Sequence, residues 1–210
     1  MPFQRWIGSL LVIGLLLWAV PAAAGENLTP TAAIKGPVDD VIRILKDPAF
    51  QGPGTKADQR AKIWQRIRPV FDFKEISRKT IGKQWSTFTK DEQQRFTEVF
   101  AELLGGTYID KIQGEYNDEK IIFIKEIVKE PLALVRSKLV REGVEIPIDY
   151  RMKNTSGQWL VYDILIENGV SLVKNFQIEY RLALEKITPA QLIQQLEERL
   201  SAQGKSLGES

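Results

Sequence analysis

Four consecutive segments in the second half of the chain alternate apolar and polar side chains with a period of two. The segments cover residues 121–129, 132–141, 144–153 and 158–167. This alternation is typical of β-strands that bury one face. The connections between them are only two to four residues long, whereas parallel strands need a crossover of about a dozen residues. The sequence therefore predicts an antiparallel four-stranded meander.

Segments with helical periodicity lie on both sides of this meander. Thr89 and Glu92 form the pattern of a capping box, which marks the start of the longest helix. Thr29-Pro30 and Thr188-Pro189 each place a capping residue before a proline at the first helical position. The predicted helices cover residues 30–45, 56–71, 90–108, 170–185 and 188–203, and short helical pieces are predicted over residues 73–85. This order predicts an α+β domain in which a helical layer packs on one side of the sheet.

The N-terminus has the three parts of a secretory signal peptide. Arg5 precedes an apolar run at residues 7–20, and Ala22-Ala23-Ala24 matches the A-x-A cleavage signal. The fourteen residues of the run would form a helix about 21 Å long, too short for a hydrocarbon core of roughly 30 Å. We predict a signal peptide at residues 1–24 and export to the periplasm. An uncleaved membrane anchor is the alternative.

The remaining chain predicts one α+β domain at residues 25–203, followed by a polar tail at residues 204–210. Cysteine and histidine are both absent, which excludes disulfides, thiolate nucleophiles, histidine bases and nearly every zinc site. No glycine-rich nucleotide loop occurs in the sequence. We therefore expect no cofactor, no metal site and no nucleic-acid partner.

Positive charge is concentrated in one segment, although the whole chain has a formal net charge of only +2. Residues 56–83 contain nine basic and three acidic side chains. Such a segment is either an ordinary solvated helix face or a surface that attracts an anionic membrane or partner. The sequence leaves both interpretations open.

Two stretches carry a resemblance to a known family. The first is Phe71-Asp72-Phe73-x-x-Ile76-x-Arg78-x-x-Ile81-Gly82-x-x-Trp85, continued by Phe96-x-x-x-Phe100-x-x-Leu103-Leu104-x-x-Thr107-Tyr108. The second is Trp159-x-Val161-Tyr162-Asp163-Ile164, followed by Gly169-Val170-Ser171-Leu172-Val173. With these motifs, residues 29–200 resemble the MlaC-like, or toluene-tolerance, family of periplasmic phospholipid-binding proteins. The chain departs from the family pattern at Asn168, which separates an acidic residue from the glycine.

The resemblance implies an apolar lipid pocket between the helices and the sheet. It implies a soluble periplasmic carrier and no enzymatic activity. Such carriers shuttle phospholipid between an outer-membrane lipoprotein complex and an inner-membrane ABC lipid transporter complex, and so maintain the lipid asymmetry of the outer membrane.

Apolar side chains on the longest helix, the third and fourth strands and the following helix are candidates for the pocket wall. Burying two acyl chains, at about 0.8 kcal/mol per methylene, requires a continuous apolar surface. The candidates are Phe96, Phe100, Leu103, Tyr108, Ile146, Ile148, Tyr150, Val161, Val173 and Phe176. For each of them, ordinary core packing is the alternative interpretation.

Asp163 supports a different hypothesis, in which the chain is a periplasmic enzyme with an NTF2-like fold. Asp163 would act as an acid or base, with Tyr162 and Asp149 nearby. In the alternative, Asp163 hydrogen-bonds backbone near the end of its strand, and Ser171 caps the helix that follows. The absence of a second catalytic element favours this structural role.

Overall fold

The computed structural model describes residues 28–167 and 169–203. The predicted signal peptide and polar tail lie outside this range. The sheet has five strands in the order of the chain: β1 (Lys120–Lys129), β2 (Leu132–Arg141), β3 (Val144–Thr155), β4 (Gln158–Ile166) and β5 (Val170–Ser171). All neighbouring strands are antiparallel. The predicted meander of four strands is confirmed, and a short fifth strand extends it.

The fifth strand differs from the sequence prediction, which places a helix from residue 170. Val170 instead pairs with Ile166, and Ser171 pairs with Leu165. The Ser171 hydroxyl accepts a hydrogen bond from the Lys174 backbone N–H at 3.0 Å, which satisfies a donor at the start of the helix. The helix therefore begins one residue after Ser171, and the predicted capping role of Ser171 is confirmed.

Within residues 28–167 and 169–203, six α-helices accompany the sheet. They are α1 (Pro30–Lys46), α2 (Lys56–Ile67), α3 (Phe73–Ile81), α4 (Lys90–Glu115), α5 (Leu172–Leu184) and α6 (Pro189–Ala202). Helices α4 and α6 both begin at complete capping boxes. The helix predicted over residues 56–71 ends at Ile67 and continues as a 3₁₀ turn, Arg68–Val70. Pro69 lies in this turn and has no backbone N–H to continue an α-helix.

Three apolar clusters hold these elements together. The first packs α1 onto the inner face of the sheet, where Ile34 meets Val135 and Met152. The second is helical and joins α3, α4, α5 and α6 around Phe96 and Phe100. The third joins α1, α2 and α4 around Ile44, Leu45, Val41, Ile63 and Ile109. Helix α4 contributes to two of these clusters along its length. Within the described residues, no helix combines the length and hydropathy needed to cross a bilayer.

Helices α2 and α4 approach closely at Gly105. A Cβ atom at this position would lie 2.4 Å from Cζ3 and 2.7 Å from Cε3 of the Trp64 ring. These distances are shorter than any ordinary van der Waals contact between carbon atoms. The indole of Trp64 therefore occupies the space that any larger residue at position 105 needs.

Five of the nine basic side chains at residues 56–83 form ion pairs with acidic side chains. Arg66 pairs with Asp40 of α1, and Arg68 lies 3.9 Å from Glu102 of α4. Arg60 is 3.5 Å from Asp110. Arg78 and Lys79 both contact Glu75, at 2.7 and 3.6 Å. These ion pairs with acidic groups of α1, α3 and α4 stabilise helix contacts, whereas attraction of an anionic membrane or partner by the remaining basic side chains stays a prediction.

We predict that Gly105→Ala destabilises the protein whereas Gly114→Ala on the same helix does not. The alanine methyl at position 105 must displace Trp64, at a cost of about 1–3 kcal/mol. No atom lies within 4 Å of a Cβ at Gly114, so the better helix propensity of alanine should stabilise this variant by up to about 1 kcal/mol. Denaturant unfolding of both variants measures the difference. Equal effects at the two positions would contradict the close approach of α2 and α4.

Candidate functional site

An apolar cavity of about 240 Å³ lies between the sheet and helices α2 to α5. Its lining is almost entirely aliphatic and aromatic, and the one carboxylate in it belongs to Asp163. The lining residues are Trp64, Ile67, Phe71, Phe73, Ile76, Leu104, Gly105, Tyr108, Ile109, Ile112, Ile148, Tyr150, Asp163, Ile164, Ile166, Leu172, Val173 and Phe176. Such a surface suits hydrocarbon and offers few partners to a polar ligand.

Regular spacing in the elements brings these side chains together. On α4, Leu104, Tyr108 and Ile112 recur every four residues and so share one face of the helix. On β3, Ile148 and Tyr150 are two residues apart and point to the same side of the sheet. The cavity therefore lies between this face of α4 and this face of β3.

Five of the ten wall residues predicted from the sequence line this cavity. They are Tyr108, Ile148, Tyr150, Val173 and Phe176. Their contact with a lipid remains a prediction.

The other five predicted wall residues lie elsewhere in the fold. Phe96 and Phe100 are fully buried in the helical cluster, and Leu103 packs against that cluster. Val161 is fully buried on the sheet beneath α1. Ile146 is half-buried and pairs with Leu139 of β2, outside the cavity lining. The structure therefore places these five residues outside the cavity lining, where α4 and the sheet pack against α6 and α1.

Sequence reasoning missed the contribution of α2 and α3 to the cavity. Trp64 and Ile67 are three residues apart on α2, and Phe73 and Ile76 are three residues apart on α3. Helical spacing of apolar residues was a usable signal in both helices. It indicated only that each helix has a buried face, and not which neighbour that face meets.

The Asp163 carboxylate is buried and accepts hydrogen bonds from three other groups. Arg151 Nη1 of β3 donates to Oδ2 at 3.1 Å, and the Ser171 hydroxyl donates to the same oxygen at 2.8 Å. The Val173 backbone N–H donates to Oδ1 at 3.2 Å. Asp163 is 5 % exposed, so these donors replace its hydration. The carboxylate thus joins β3, β4 and the start of α5, as the structural interpretation predicts.

The groups invoked by the enzyme hypothesis are not assembled at one site. Asp149 lies 3.6 Å from Arg136 of β2 and is not part of the cavity lining. The ring of Tyr162 lies 4.9 Å below the Lys79 ammonium, also outside the lining. Only Asp163 reaches the cavity, and its oxygens already accept several hydrogen bonds. This arrangement does not place an acid and a base around a shared substrate position.

A second, polar cleft of about 420 Å³ lies at the other end of the α2–α4 pair. Its amide side chains are already paired: Gln113 donates to Gln59 at 2.8 Å, and Gln59 donates to the Ile44 carbonyl at 3.0 Å. Lys46 and Asp118 form an ion pair at 2.8 Å across its rim. Although this cleft is larger, its polar lining does not suit acyl chains.

Two tyrosines, Tyr108 and Tyr150, line the apolar cavity. Burial raises the pKa of Tyr150 to about 12, and a hydrogen bond with Ser137 opposes this shift. Burial also raises the pKa of Tyr108. Both phenols are therefore neutral across the ordinary pH range, and neither introduces a charge into the apolar surface.

A protein-family model matches most of this chain. Residues 35–198 match the model of the family described as MlaC protein. Because the match covers most of the chain, the protein belongs to the MlaC family, and the resemblance found in the sequence is confirmed.

Two relatives of this chain are described as phospholipid-binding or phospholipid transport proteins. The chain is 20 % identical over 186 residues to the intermembrane phospholipid transport system binding protein MlaC of Haemophilus influenzae, covering 82 % of each chain. A phospholipid-binding protein from Ralstonia solanacearum, solved in complex with a phospholipid, has a TM-score of 0.71 and 26 % identity to this chain. The match covers 85 % of this chain and 100 % of the other. This chain therefore shares its fold with a relative that was solved with a phospholipid bound.

We predict that Asp163→Ala lowers the free energy of unfolding by about 2–3 kcal/mol, because the Ser171 hydroxyl and the Val173 N–H lose their charged acceptor. Asp163→Asn should cost about 1–2 kcal/mol, since the amide oxygen still accepts a hydrogen bond. Asp163→Asn should also leave lipid uptake per folded molecule close to wild type. Denaturant unfolding and uptake from vesicles are the measurements.

Asp149→Asn is the matched control for these variants. Its carboxylate faces Arg136 on the sheet outside the cavity, so the change should cost less than about 1 kcal/mol. A phospholipid-directed turnover that disappears in Asp163→Asn would instead support the enzyme hypothesis.

We also predict an alkaline loss of stability that depends on Tyr150. Its folded pKa of about 12 lies above the ordinary value of 10.0. The unfolded phenol therefore ionises first, and stability falls as the pH rises through this interval, by about 3 kcal/mol for two pKa units. Tyr150→Phe should lack this component, so the stability difference between wild type and variant should change between pH 10 and pH 12. A stability difference between wild type and Tyr150→Phe that stays constant from pH 10 to pH 12 would contradict the prediction.

Proposed function

We propose that this protein is a soluble periplasmic carrier that holds phospholipid acyl chains in the cavity between its sheet and helices α2 to α5. The observation that supports this most directly is the apolar lining, which comes from six different helices and strands and has one structurally engaged carboxylate. The relative that binds a phospholipid with the same fold supports it independently.

The size of the cavity supports a site that widens when it is loaded. Its volume of about 240 Å³ is below the roughly 300–1,000 Å³ typical of sites for drug-sized ligands. An empty apolar cavity costs stability because its lining loses packing partners. We therefore expect acyl chains to move the surrounding helices apart when they enter the cavity.

The energetics of extraction also favour a continuous apolar lining. Each methylene that leaves a bilayer for water costs about 0.8 kcal/mol, so a carrier must cover most of both acyl chains. The headgroup stays in water near the half-exposed lining residues, such as Ile148 and Ile166. A carrier with this arrangement needs no chemical step.

The periplasmic location and the partners form the second part of the proposal. The predicted signal peptide supports export, and the printed name of the Haemophilus relative places that protein in an intermembrane phospholipid transport system. We propose that this chain exchanges lipid with an inner-membrane ABC transporter complex and an outer-membrane lipoprotein complex. Its role would be to maintain outer-membrane lipid asymmetry.

We further propose that the protein is not an enzyme. Asp163 is the one carboxylate of the cavity, and it already accepts hydrogen bonds from Arg151, Ser171 and the Val173 N–H. Proton transfer to a substrate would require some of these bonds to break.

Protein purified without detergent should contain phospholipid, and Ile148→Glu should reduce this content severalfold. A carboxylate at position 148 projects into the cavity and must lose its hydration when acyl chains enter. Mass spectrometry of solvent extracts, together with uptake from fluorescent phospholipid vesicles, measures both effects.

Ile178→Glu on α5 is the matched control. Ile178 is 47 % exposed and does not line the cavity, so this variant should load lipid as wild type does. Thermal melts of delipidated protein separate loading from folding. Absence of lipid from wild-type protein, combined with no uptake from vesicles, would overturn the carrier function.

A further inference from the structure

We propose that the outer face of strands β1, β2 and β3 binds the surface of an anionic phospholipid bilayer. The outer face is the side of these strands that points away from α1 and from the apolar cavity. This proposal goes beyond the carrier function, because it assigns a membrane contact to a surface that takes no part in holding a lipid molecule.

The strand register defines which side chains share the outer face. Val135 and Met152 are buried beneath α1, so their neighbours along each strand point the other way. A β-bulge between Phe123 and Lys125 shifts the alternation of β1, so that Ile122 and Lys125 both point outward. The rows across the outer face are Ile122 with Lys138 and Pro147, Lys125 with Arg136 and Asp149, Ile127 with Leu134 and Arg151, and Lys129 with Leu132 and Lys153.

Positive charge dominates these four rows. Asp149 is their one acidic side chain, and the basic ones are Lys125, Lys129, Arg136, Lys138, Arg151 and Lys153. The rows therefore carry a formal charge of +5, although the whole chain has only +2. The next row, Lys120 with Val140 and Glu145, adds one charge of each sign. Such an accumulation on one surface attracts an anionic partner.

Strand β1 contributes the cations that are free to bind such a partner. Lys138 lies 2.6 Å from Glu145, Arg136 lies 3.6 Å from Asp149, and Arg151 lies 3.1 Å from Asp163. Lys125 and Lys129 are exposed, and among the residues that the structure describes neither forms an ion pair. The ammonium groups of β1 can therefore meet an external anion without breaking an internal contact.

Exposed aliphatic side chains lie between these cations. Ile122, Ile127 and Leu132 are 44 %, 47 % and 46 % exposed, and all three point outward. At a bilayer surface, cations meet the phosphates while aliphatic side chains reach the boundary of the acyl region. The outer face offers both kinds of contact on one surface.

A bilayer suits this surface better than a second protein does. Strand β1 is an edge strand, and edge strands can pair with another chain. Two copies would, however, bring two strongly cationic faces or two lysine-rich strands together, and like charges repel. Lysine is also depleted from the buried centres of protein interfaces. A fluid layer of anionic headgroups, in contrast, can adjust to flexible lysine side chains.

Vesicle co-sedimentation tests the proposal. The protein is mixed with vesicles of phosphatidylcholine alone or of equal parts phosphatidylcholine and phosphatidylglycerol. Wild type should sediment with the phosphatidylglycerol vesicles at about 0.01 M salt and be released at about 1 M salt, because the screening length falls about tenfold. Absence of binding to phosphatidylglycerol vesicles at low salt would overturn the proposal.

A double variant, Lys125→Gln with Lys129→Gln, tests the location of the binding surface. Each lysine near an anionic bilayer contributes about fivefold to binding, so this variant should bind about 25-fold more weakly. The matched control is Lys74→Gln with Lys83→Gln, which removes two exposed lysines from the basic segment of the helices. It has the same net charge and should bind within about twofold of wild type. An equal or larger loss in the control would overturn the assignment to the sheet.

The aliphatic contribution has its own matched pair of variants. Ile122→Thr with Ile127→Thr keeps β-branched residues in the strand and should weaken binding severalfold. Ile178→Thr with Leu182→Thr on α5 alters side chains of similar exposure, 47 % and 50 %, and should leave binding unchanged. Thermal melts verify that each variant is folded. A purely electrostatic attraction, with both pairs unchanged, would overturn the insertion of these side chains.

Two further measurements separate membrane contact from other properties. Ile148→Glu alters the cavity on the opposite face of the sheet, so it should lose lipid loading and still sediment with vesicles. If wild type sediments with vesicles but never loads lipid, the carrier function fails and the membrane surface stands. Sedimentation velocity without vesicles should show a monomer at low salt. A dimer that dissociates in Ile122→Thr with Ile127→Thr would assign the outer face to a second copy and overturn the proposal.

Discussion

The buried carboxylate of Asp163 connects the sheet to the helix that closes one side of the cavity. It receives hydrogen bonds from Arg151 of β3, from Ser171 of β5 and from the backbone of Val173 in α5. Because Val173 itself lines the cavity, this interaction fixes the position of one wall relative to the strand that carries the opposite wall. A neutral hydrogen bond would perform this less well, since bonds to a charged acceptor are roughly twice as strong.

Helix α4 explains why the cavity exists at all. Its 26 residues face the helical cluster at Phe96 and Phe100, the cavity at Tyr108 and the α1–α2 cluster at Ile109. A helix with several apolar faces cannot be covered by one neighbour. The elements that pack against it, α2, α3, α5 and α6, come from both ends of the chain, and the space they leave is the cavity.

The several apolar faces of α4 also limit what the sequence can predict about the site. Strand alternation and capping residues are local, so the meander and the helix starts at Thr89 and Thr188 follow from short stretches of sequence. The wall of the cavity is not local. Phe96 and Tyr108 belong to one continuous apolar stripe. Phe96 nevertheless packs in the helical cluster, whereas Tyr108 lines the cavity. Only the arrangement of neighbouring helices distinguishes them, and no periodicity encodes it.

Trp64 and Asp163 both line the cavity, and polar contacts hold each of them to a neighbouring element. Close contact of Trp64 with Gly105 brings α2 against α4, and the indole N–H donates to Glu102. Asp163 anchors α5 to the sheet. The Trp64 N–H is bonded to Glu102, which is not a lining residue, and the Asp163 oxygens already accept hydrogen bonds, so the polar atoms of both residues are engaged and the rest of the lining can stay apolar. A reversible lipid carrier suits such anchored walls, because the contacts that acyl chains make with the lining are weak and non-directional.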